Sequence, residues 1–506
     1  MSRLQRLLRS SRQLVLPTIA GVLYFLSWIG FGVWPLGFVC FLPHLWALRG
    51  ATLKQAFLRG WWFGFVLHLG GYTWIMHLLQ VFADAPAWVA FLGYLLLCAA
   101  QGLLFAFMSL GLVWLQKRTR WHYVALLPLS LAACELCVPL LFQSYTGVAL
   151  MPVLPLVQIA DLGGPILLSV LQTIVNGALF DAYTAWRDGT TAPIWPMSVS
   201  LLSLLGSGAY GYARMVHIDA LQTAAPHLRI GLAQPNVGAT ELHENPLASV
   251  RTLRDETAEI SVREGVLAIW PEVGFNTQPV PDGATDGKAI QGNIPIALIA
   301  GVERVSRKDV WNSAIAIDQS GRIGDHYDKI KLLAFGESIP GGEWFPQVYE
   351  WLPQVGHLSR GKTTAPLRLF GYRFATFICY EGILPDMVNE IMSGEHGQGR
   401  PHALVNLTND SWYGVGHEQE EHLMLAVVRS IEHRRWLLRA TSTGISAFVD
   451  ANGKIVHRIG RNERGVWVEN VPMLQGQTVF EVLGMWPGWA ALACFAWALV
   501  FGRAKA

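Results

Sequence analysis

Eight apolar stretches constrain this chain more than any other feature, because most of them are long enough to cross a lipid bilayer. A hydrocarbon core roughly 30 Å thick needs about 20 consecutive apolar residues in a helix. The first stretch follows a basic N-terminal segment and lacks a small-residue cleavage site, so we interpret it as a retained membrane anchor. The predicted spans occupy about residues 14–32, 36–49, 57–81, 87–115, 122–141, 163–186, 193–213 and 479–501.

The charges between these stretches predict which side of the membrane each loop faces. Lys and Arg residues follow the second, fourth, sixth and eighth stretches, whereas the short loops after the first, third and fifth contain none. Cytoplasmic loops are enriched in Lys and Arg, so both termini are predicted to be cytoplasmic. The polar region between the seventh and eighth stretches then lies outside the inner membrane. If the short second stretch is re-entrant, however, the orientation of everything downstream inverts.

The sequence therefore divides into three predicted segments. Residues 1–214 form a membrane bundle with spans one to seven, 215–475 form a polar domain, and 476–506 form the eighth span with a cytoplasmic tail. The composition agrees, since 52% of the 506 residues are hydrophobic and only 15% are charged. The net charge is +2 and no basic stripe with interleaved aromatic residues occurs, so nucleic acid is not an expected partner.

The polar region alternates short apolar, β-branched runs with helix-like stretches, a pattern that predicts one layered α/β domain. Tight-turn pairs, Ser320-Gly321 and Asn452-Gly453, follow two of the strand-like runs. Helix-like stretches lie at 246–263 and 418–434. The strand-like runs lie at 227–234, 266–270, 294–305, 310–318, 374–379, 403–407 and 446–449.

Three chemically distinct residues stand where such runs end. Cys379 is the one cysteine of six that lies outside the apolar stretches, and Glu272 and Lys329 also follow strand-like runs. An attacking thiol needs a base to remove its proton, and the tetrahedral intermediate that it forms needs a cation or donor for its oxyanion. A single unpaired thiol in an oxidising compartment is also unusual unless it is used. The three residues together predict thiol-dependent acyl chemistry.

The sequence around these residues resembles a known family. Trp-Pro-Glu272, Tyr-Asp-Lys329 with Phe-Gly-Glu337 after it, and Ile-Cys379-Tyr380-Glu381 are similar to the motifs of the nitrilase (carbon-nitrogen hydrolase) superfamily. With membrane spans on both sides, the chain resembles in particular the apolipoprotein N-acyltransferase family of the bacterial inner membrane. The segments 408–414 and 450–453 also resemble that family, and the resemblance covers nearly the whole chain.

The resemblance implies a fold and a set of roles. The fold would be an α-β-β-α sandwich facing the periplasm, with Cys379 as nucleophile, Glu272 as general base and Lys329 as oxyanion stabiliser. Glu337 would orient the base and the lysine. The remaining family positions around the triad would be Tyr380 and Glu381, and Trp412 would lie in a loop near the acyl site.

The resemblance also implies a reaction. Cys379 would take a fatty acyl chain from a phospholipid such as phosphatidylethanolamine, and the α-amino group of a diacylglyceryl-cysteine on an apolipoprotein would accept it. No cofactor or metal is implied, and we expect a monomer because no heptad pattern or exposed edge stands out. Two other functions stay open: a membrane-tethered amidase in which water resolves the thioester, and a non-enzymatic membrane scaffold with a relic domain.

Some positions depart from the family pattern. Ala334 stands where a proline is usual, Ser442 where an asparagine is usual, and Leu242-His243 where a Lys-Trp pair is usual. These departures could change the preferred donor or acceptor. They leave the three proposed catalytic residues intact.

Two further clusters stand out in the polar region. The aromatic residues Trp344, Phe345, Tyr349 and Trp351 lie among glycines and prolines, a pattern that suggests a lid over the acyl site, although ordinary packing explains it equally well. The segment from His417 to His422 is similar to a zinc-protease helix. Its histidines are five residues apart and so do not share one helix face, and we expect His422 to pack against or support the site.

Overall fold

The computed structural model describes residues 3–82, 85–191, 193–238, 241, 244–339, 341–342, 344–345, 347–351, 356–394, 399–414 and 416–502. The chain divides into two compact units. The helical unit comprises Met1–Met76, Pro86–Met215 and Val482–Ala506. The two-sheet unit comprises His77–Ala85 and Val216–Glu481.

Apolar helices form the first of these units. Within the described residues, Ala87–Arg118 and Ala160–Arg187 are each long and apolar enough to cross a membrane. Shorter apolar helical stretches lie at Gln13–Ser27, Trp34–Leu48, Tyr123–Cys137 and Trp486–Phe501. The α-helices of the two units, as far as the chain is described, are α1 (Arg3–Ser27), α2 (Leu42–Leu48), α3 (Leu53–Gly71), α4 (Ile75–Phe82), α5 (Ala87–Gln101), α6 (Leu103–Arg118), α7 (Tyr123–Cys137), α8 (Leu154–Val157), α9 (Ala160–Arg187), α10 (Ile194–Ala224), α11 (Pro246–Val262), α12 (Lys288–Gln291), α13 (Val348–Trp351), α14 (Pro385–Ser393), α15 (Glu418–His433), α16 (Val479–Leu483) and α17 (Trp486–Phe501).

Some apolar stretches are less regular than the sequence pattern predicts. The second one is a 3-10 turn at Trp34–Phe38 followed by α2, which has only seven residues. Pro43 explains this break, because proline is tolerated in the first turn of a helix but not in its interior. Inside α9, Gly163 and Gly164 leave the helical conformation, and Gly164 has a φ of 65°. Hydrophobicity therefore locates the apolar segments, whereas proline and glycine decide where the helices inside them end.

Two β-sheets form the centre of the second unit. The first sheet has the order β13-β1-β2-β4-β5-β6, with β3 paired to β4, and the second has the order β12-β11-β10-β9-β8-β7. The strands are β1 (His227–Gln234), β2 (Leu267–Ile269), β3 (Phe275–Pro281), β4 (Ala297–Val305), β5 (Val310–Ile317), β6 (Ile323–Asp328), β7 (Leu367–Leu369), β8 (Tyr372–Ile378), β9 (Ala403–Thr408), β10 (Leu437–Thr441), β11 (Ser446–Val449), β12 (Ile455–Ile459) and β13 (Gly465–Pro472).

The two sheets pack face to face between helices. Strand β1 contacts β10 and β11, and β5 contacts β7 and β8. The amide oxygen of Gln234 is buried between the sheets, where it accepts hydrogen bonds from Ser446 Oγ at 2.6 Å and Thr441 Oγ1 at 3.0 Å. Helix α11 covers β1, β3 and β13, while α14 packs on β8 and α15 packs on β10. This is the predicted α-β-β-α arrangement, with apolar side chains filling the space between its layers.

Parallel pairing brings several strand ends to common edges. Strands β1, β2 and β4 are parallel neighbours in the first sheet, and β8, β9 and β10 are parallel neighbours in the second. The carboxyl ends of parallel strands lie at the same edge of a sheet, which is where ligands and reactive groups of α/β proteins gather. Glu272 follows β2, and Cys379 follows β8 directly.

Candidate active site

Glu272 is held in a sharp turn after the short buried strand β2. The indole of Trp270 is fully buried and donates to Thr257 Oγ1 at 2.8 Å, which anchors the strand end. The next turn residue, Val273, has a φ of 51°. The turn also packs closely against β4, because a Cβ at Gly301 would lie 2.2 Å from the carbonyl oxygen of Pro271. The Glu272 side chain is consequently fixed and only 7% exposed.

Lys329 lies one residue beyond the end of β6, and its backbone is held on both sides. Its amide donates to the carbonyl of Asn312 at 2.8 Å, and its carbonyl accepts from Gly361 at 2.8 Å. The preceding Asp328 is also anchored, because Oδ1 accepts from Arg304 at 2.5 Å and from Ser313 at 2.6 Å. These bonds aim a lysine that is only 2% exposed into the interior of the unit.

The side chains of Glu272, Lys329 and Glu337 form one hydrogen-bonded network. Lys329 Nζ donates to Glu337 Oε1 at 2.7 Å and to Glu272 Oε1 at 3.3 Å. Asn312 Nδ2 donates to the same two atoms, at 3.3 Å for Glu337 and 2.7 Å for Glu272. The second oxygen of Glu337 accepts from the amide of Leu333 at 2.8 Å. One ammonium and one amide thus hold two carboxylates in a fixed geometry.

The network perturbs the protonation of its members. Burial raises the pKa of Glu272, while the charge of Lys329 opposes that shift. Burial lowers the pKa of Lys329, but Glu272 and Glu337 outweigh it and hold the pKa well above its usual value. The lysine therefore stays cationic. A carboxylate whose pKa is moved toward neutrality is suited to take and return a proton.

Cys379 sits in a strained turn that ends strand β8. It has a φ of 51° and begins a 3-10 helix, Cys379–Ile383. For a residue with a Cβ this left-handed conformation costs on the order of 1–3 kcal/mol and persists only where the surroundings impose it. The side chain is only 7% exposed. Burial raises the pKa of the thiol, the charge of Glu272 raises it further, and the charge of Lys329 opposes both effects.

Glu381 connects the turn that contains Cys379 to the loop that contains Lys329, across the two sheets. This carboxylate is fully buried and accepts four hydrogen bonds. Oε2 accepts from Ile378 N at 2.8 Å and from Tyr327 Oη at 2.9 Å, while Oε1 accepts from Ile330 N at 2.8 Å and Lys331 N at 2.9 Å. The bond from Ile378 lies next to Cys379, and those from Ile330 and Lys331 lie next to Lys329. Glu381 therefore sets the relative position of two of the predicted catalytic residues.

A second buried cluster lies behind Cys379, on the side of β9 and α15. Asp410 Oδ2 accepts from Arg439 at 3.0 Å, and Oδ1 lies 2.9 Å from His422 Nδ1. Burial raises the pKa of Asp410, but Arg439 and His422 outweigh it and lower the pKa to about 2. His422 Nε2 lies 3.4 Å from the carbonyl oxygen of Cys379. The predicted supporting place of His422 beside the site agrees with this geometry.

Two of the aromatic residues predicted to form a lid, Trp344 and Tyr349, line a cleft. Trp344 is 81% exposed and, together with Trp311 and Tyr349, lines a cleft of about 510 Å³. Tyr349 stacks on His357 with ring centroids 4.2 Å apart. The side chain of Trp351 lies outside the described part of the chain.

Two further predicted residues, Tyr380 and Trp412, lie in 3-10 turns. Tyr380 follows Cys379 directly and is partly buried. Trp412 belongs to the 3-10 turn Asp410–Tyr413, whose first residue is the partner of His422.

The residues that depart from the family pattern have different surroundings. Ser442 is buried, and its hydroxyl donates to the carbonyl of Val237 at 2.6 Å, which ties the loop after β1 to the end of β10. Ala334 lies in a turn and forms a β-bridge with Ser338. Leu242 and His243 lie outside the described residues. Within those residues, no group of three His, Cys, Asp or Glu side chains is arranged to hold a metal ion.

Asn312 and Asp410 are the residues that the sequence reasoning missed. Asn312 lies in a strand with an alternating, mostly apolar pattern, and an inward-facing amide at that position was an available signal. Asp410 lies inside the segment that was compared with the family, where only Trp412 received a role. Both residues act on others through hydrogen bonds between elements that are distant in sequence.

Comparison with known proteins finds family models and a solved structure that are similar to parts of this chain. A family model described as the apolipoprotein N-acyltransferase N-terminal domain matches residues 20–178, and a carbon-nitrogen hydrolase model matches residues 289–478. The second range contains Lys329, Glu337 and Cys379, whereas Glu272 precedes it. A solved structure of an amidase from Nesterenkonia sp. AN1, with acrylamide added at its active-site cysteine, is 19% identical, with a TM-score of 0.37 over 49% of this chain and 94% of that chain.

Full-length relatives match along both units. An apolipoprotein N-acyltransferase from Geobacter metallireducens is 26% identical over 513 residues, covering 97% of this chain and 94% of the relative. One from Pseudomonas putida is 28% identical over 516 residues, covering 97% of each chain. Since both domain models match in the expected order and the relatives align from end to end, the chain belongs to the apolipoprotein N-acyltransferase family.

Proposed function

We propose that this chain is an N-acyltransferase that moves a fatty acyl chain from a phospholipid to the α-amino group of a diacylglyceryl-cysteine at the N-terminus of an apolipoprotein. The relatives named apolipoprotein N-acyltransferase support this activity. The observation that carries the proposal is the buried network of Glu272, Lys329 and Glu337, whose Lys329 loop is linked to the Cys379 turn by the carboxylate of Glu381. Base, cation and nucleophile are the three groups that acyl transfer through a thioester requires.

In the first half-reaction, Glu272 takes the proton of the Cys379 thiol as the sulfur attacks an ester carbonyl of the phospholipid. The carbonyl oxygen becomes an oxyanion, which the ammonium group of Lys329 stabilises. The C–O bond to the glycerol oxygen then breaks, and that oxygen leaves with the proton from Glu272 as lysophospholipid. The acyl chain remains on Cys379 as a thioester.

In the second half-reaction, the uncharged α-amino group of the acceptor attacks the thioester carbonyl. Glu272 takes a proton from the attacking nitrogen, and Lys329 again stabilises the oxyanion. The C–S bond breaks, an amide forms, and the sulfur recovers its proton. Because Lys329 is held by Glu337 at 2.7 Å, its cation stays in place through both steps.

The proposal includes the membrane arrangement predicted from the sequence. Eight spans, with both termini in the cytoplasm and the two-sheet unit in the periplasm, would place Cys379 beside phospholipid of the inner membrane. The charge pattern of the loops and the two long apolar helical stretches support this arrangement. A cysteine-labelling experiment with impermeant reagents on intact and permeabilised cells would test the orientation of each loop.

The aromatic cluster around Trp344 is proposed to cover the entry path of the acyl chain. Trp344 is 81% exposed and Phe345 is 64% exposed, and such aromatic side chains are favoured at a membrane interface. Trp344 also lines the cleft of about 510 Å³, whose wall at Leu358 is hydrogen-bonded to the backbone of Glu337 at 3.1 Å. If replacing Trp344 and Trp351 with alanine leaves acylation of Cys379 from phospholipid vesicles unchanged, this part of the proposal is wrong.

One experiment tests the whole reaction. The purified protein is incubated with phosphatidylethanolamine labelled in its acyl chain, with and without a synthetic diacylated lipopeptide that has a free α-amino group. We expect a hydroxylamine-labile label on Cys379, which passes to the amine of the lipopeptide when that is added. Cys379→Ala is the matched control and should carry no label.

The other outcomes separate the alternative functions. Label that appears as free fatty acid, without transfer to the lipopeptide, would indicate a hydrolase of the amidase type. A wild-type protein that forms no adduct would indicate a non-enzymatic membrane protein.

A further inference from the structure

The carbonyl oxygen of Cys379 faces a histidine that the reaction described above does not use. His422 lies on α15, is 5% exposed, and places Nε2 at 3.4 Å from that oxygen. On its other side, Nδ1 lies 2.9 Å from Asp410 Oδ1. The ring therefore bridges a buried acid and the backbone of the nucleophile.

Both ring nitrogens face hydrogen-bond acceptors. Asp410 is a carboxylate here, because its pKa is lowered to about 2 in spite of its burial. An ionised carboxylate and a backbone carbonyl can only accept hydrogen bonds, so a ring nitrogen that bonds to either of them must be the donor. The two contacts fix the orientation of the ring between Asp410 and Cys379.

Acidic and aromatic side chains surround the ring of His422. Glu418, on the same helix, has Oε1 at 3.9 Å from His422 Nδ1, and Tyr413 faces the ring edge-on with centroids 6.3 Å apart. Arg439 reaches the group only through Asp410, where it bonds the other carboxylate oxygen at 3.0 Å. Asp410 and Glu418 therefore lie against His422, and Asp410 is also hydrogen-bonded to the guanidinium of Arg439.

The backbone on either side of Cys379 is held by different elements. On the N-terminal side, the amide of Ile378 donates to Glu381 at 2.8 Å. On the C-terminal side, the carbonyl of Cys379 has His422 as its partner. A left-handed conformation at a residue other than glycine is maintained only when its surroundings over-determine it.

We propose that His422, held by Asp410, is a positioning residue that keeps the Cys379 turn in its left-handed conformation and so directs the thiol toward Glu272 and Lys329. The catalytic importance of this positioning rests on the proposed acyl transfer, whereas the contacts of His422 do not depend on it. His422 touches neither the acyl chain nor the reacting carbonyl in this role. It acts through the peptide group that follows the nucleophile.

The test compares two buried histidines on one helix. His422→Gln leaves an amide that can donate but is uncharged, and His433→Gln is the matched control. His433 is also fully buried and also has an acidic partner, with Nδ1 at 3.0 Å from Glu481 Oε1, but it lies at the other end of α15. The two changes remove similar interactions from the same helix, so a general loss of helix packing should affect both variants.

We expect the rate constant for acylation of Cys379 by phosphatidylethanolamine to fall by about tenfold or more in His422→Gln, with KM for the phospholipid within about twofold of wild type. In His433→Gln the rate per folded molecule should stay within about twofold of wild type. Equal losses in both variants, or a loss in His422→Gln that follows only the fraction of folded protein, would overturn the proposal.

A second readout does not depend on the acyltransferase reaction. Alkylation of Cys379 by iodoacetamide, measured by peptide mass spectrometry, should be at least about threefold slower in His422→Gln than in His433→Gln, because a relaxed turn moves the thiol away from Lys329. An unchanged or faster rate would contradict the positioning role. If the wild-type protein forms no acyl adduct with phospholipid, the proposed function fails while this comparison still decides the role of His422.

Discussion

Lys329 lies closer to Glu337 than to Glu272, with distances from Nζ to the carboxylate oxygens of 2.7 Å and 3.3 Å. Glu337 receives a further hydrogen bond from the amide of Leu333, so it is the better-fixed carboxylate of the two. The arrangement gives the lysine one permanent counter-ion. Glu272 therefore interacts more weakly with the ammonium group of Lys329 and is better placed to take a proton.

Replacing Glu337 with glutamine should slow acylation of Cys379 by about 10²–10³-fold, the range seen when one stabilising group of an oxyanion site is lost. Without the charge of Glu337, Lys329 should pair fully with Glu272 and weaken it as a base. The measurement is the rate of thioester formation with labelled phospholipid. Glu303→Gln, on strand β4, is the control for loss of a carboxylate from the same sheet, and an equal effect there would contradict the assignment.

Replacing Glu272 with glutamine should change two rates in opposite directions. Burial raises the pKa of the Cys379 thiol first of all, and the charge of Glu272 raises it further. Removing that charge should lower the thiol pKa, increase the thiolate fraction at a given pH, and speed alkylation by iodoacetamide. Acylation by phospholipid should nevertheless fall by about 10²–10⁴-fold, because the general base is gone.

These opposite changes distinguish a base from a structural acid. If alkylation and acylation both slow in Glu272→Gln, the carboxylate supports the fold of the turn rather than the proton transfer. Both rates can be measured on one preparation across the pH range 6 to about 9, around the ordinary thiol pKa.

Replacing Gly444 with alanine should disturb the buried cluster behind the nucleophile. A Cβ at this position would lie 2.3 Å from Asp410 Oδ2, the atom that accepts from Arg439. Overpacking of this kind typically costs about 1–3 kcal/mol. We expect a lower Tm and slower acylation of Cys379.

Gly416→Ala is a matched control for this change, since among the described residues no atom beyond its chain neighbours lies within 4 Å of the added carbon there. It should behave as wild type in both measurements. An unchanged Tm and acylation rate in Gly444→Ala would show that the cluster tolerates displacement of Asp410.

The stability of the two-sheet unit should depend on pH through Glu256. Burial raises its pKa to about 8 from an ordinary value of 4.5, with Arg464 opposing the shift at 3.1 Å. The folded state therefore binds a proton that the unfolded state releases between these values. The stability that this proton contributes is fully present below about pH 4.5 and is lost as the pH rises toward 8.

Replacing Glu256 with glutamine should flatten that dependence. The Tm of the variant, measured by differential scanning fluorimetry in detergent, should fall less between pH 5 and about 8 than the Tm of wild type. Glu259→Gln, on the same helix α11, is the control. A wild-type Tm that rises over this interval while the variant stays flat would show that the sign is wrong.

The strand ends that carry the candidate site could be predicted from the sequence alone. Glu272, Lys329 and Cys379 each interrupt a run of apolar residues, and polar residues at such positions commonly lie at the edge of a sheet. The layered α/β arrangement followed from the same alternation. Their partners could not be found in this way, because Asn312 reaches Glu272 only through the pairing of β5 with both β4 and β6.

The apolar composition of the helical unit could be predicted from the sequence, but the positions where its helices are interrupted could not. The apolar stretches were located, yet the interruption before Pro43 and the change of direction at Gly163 and Gly164 were not anticipated. Average hydrophobicity over a window does not register a single residue that cannot continue a helix. Similarly, the bond between His422 and the backbone of Cys379 depends on how α15 packs on the second sheet, which no local pattern encodes.

Because the site is divided between two sheets, enzymatic activity requires the two sheets to be correctly packed against each other. Glu272 and Lys329 follow strands of the first sheet and Cys379 follows a strand of the second, and Glu381 spans the gap between them. A partially unfolded molecule could keep both sheets, and hence most of its circular dichroism signal, after the sheets have slipped apart. Loss of turnover should therefore precede loss of secondary structure during denaturation, and detergents for purification are better ranked by turnover than by spectra.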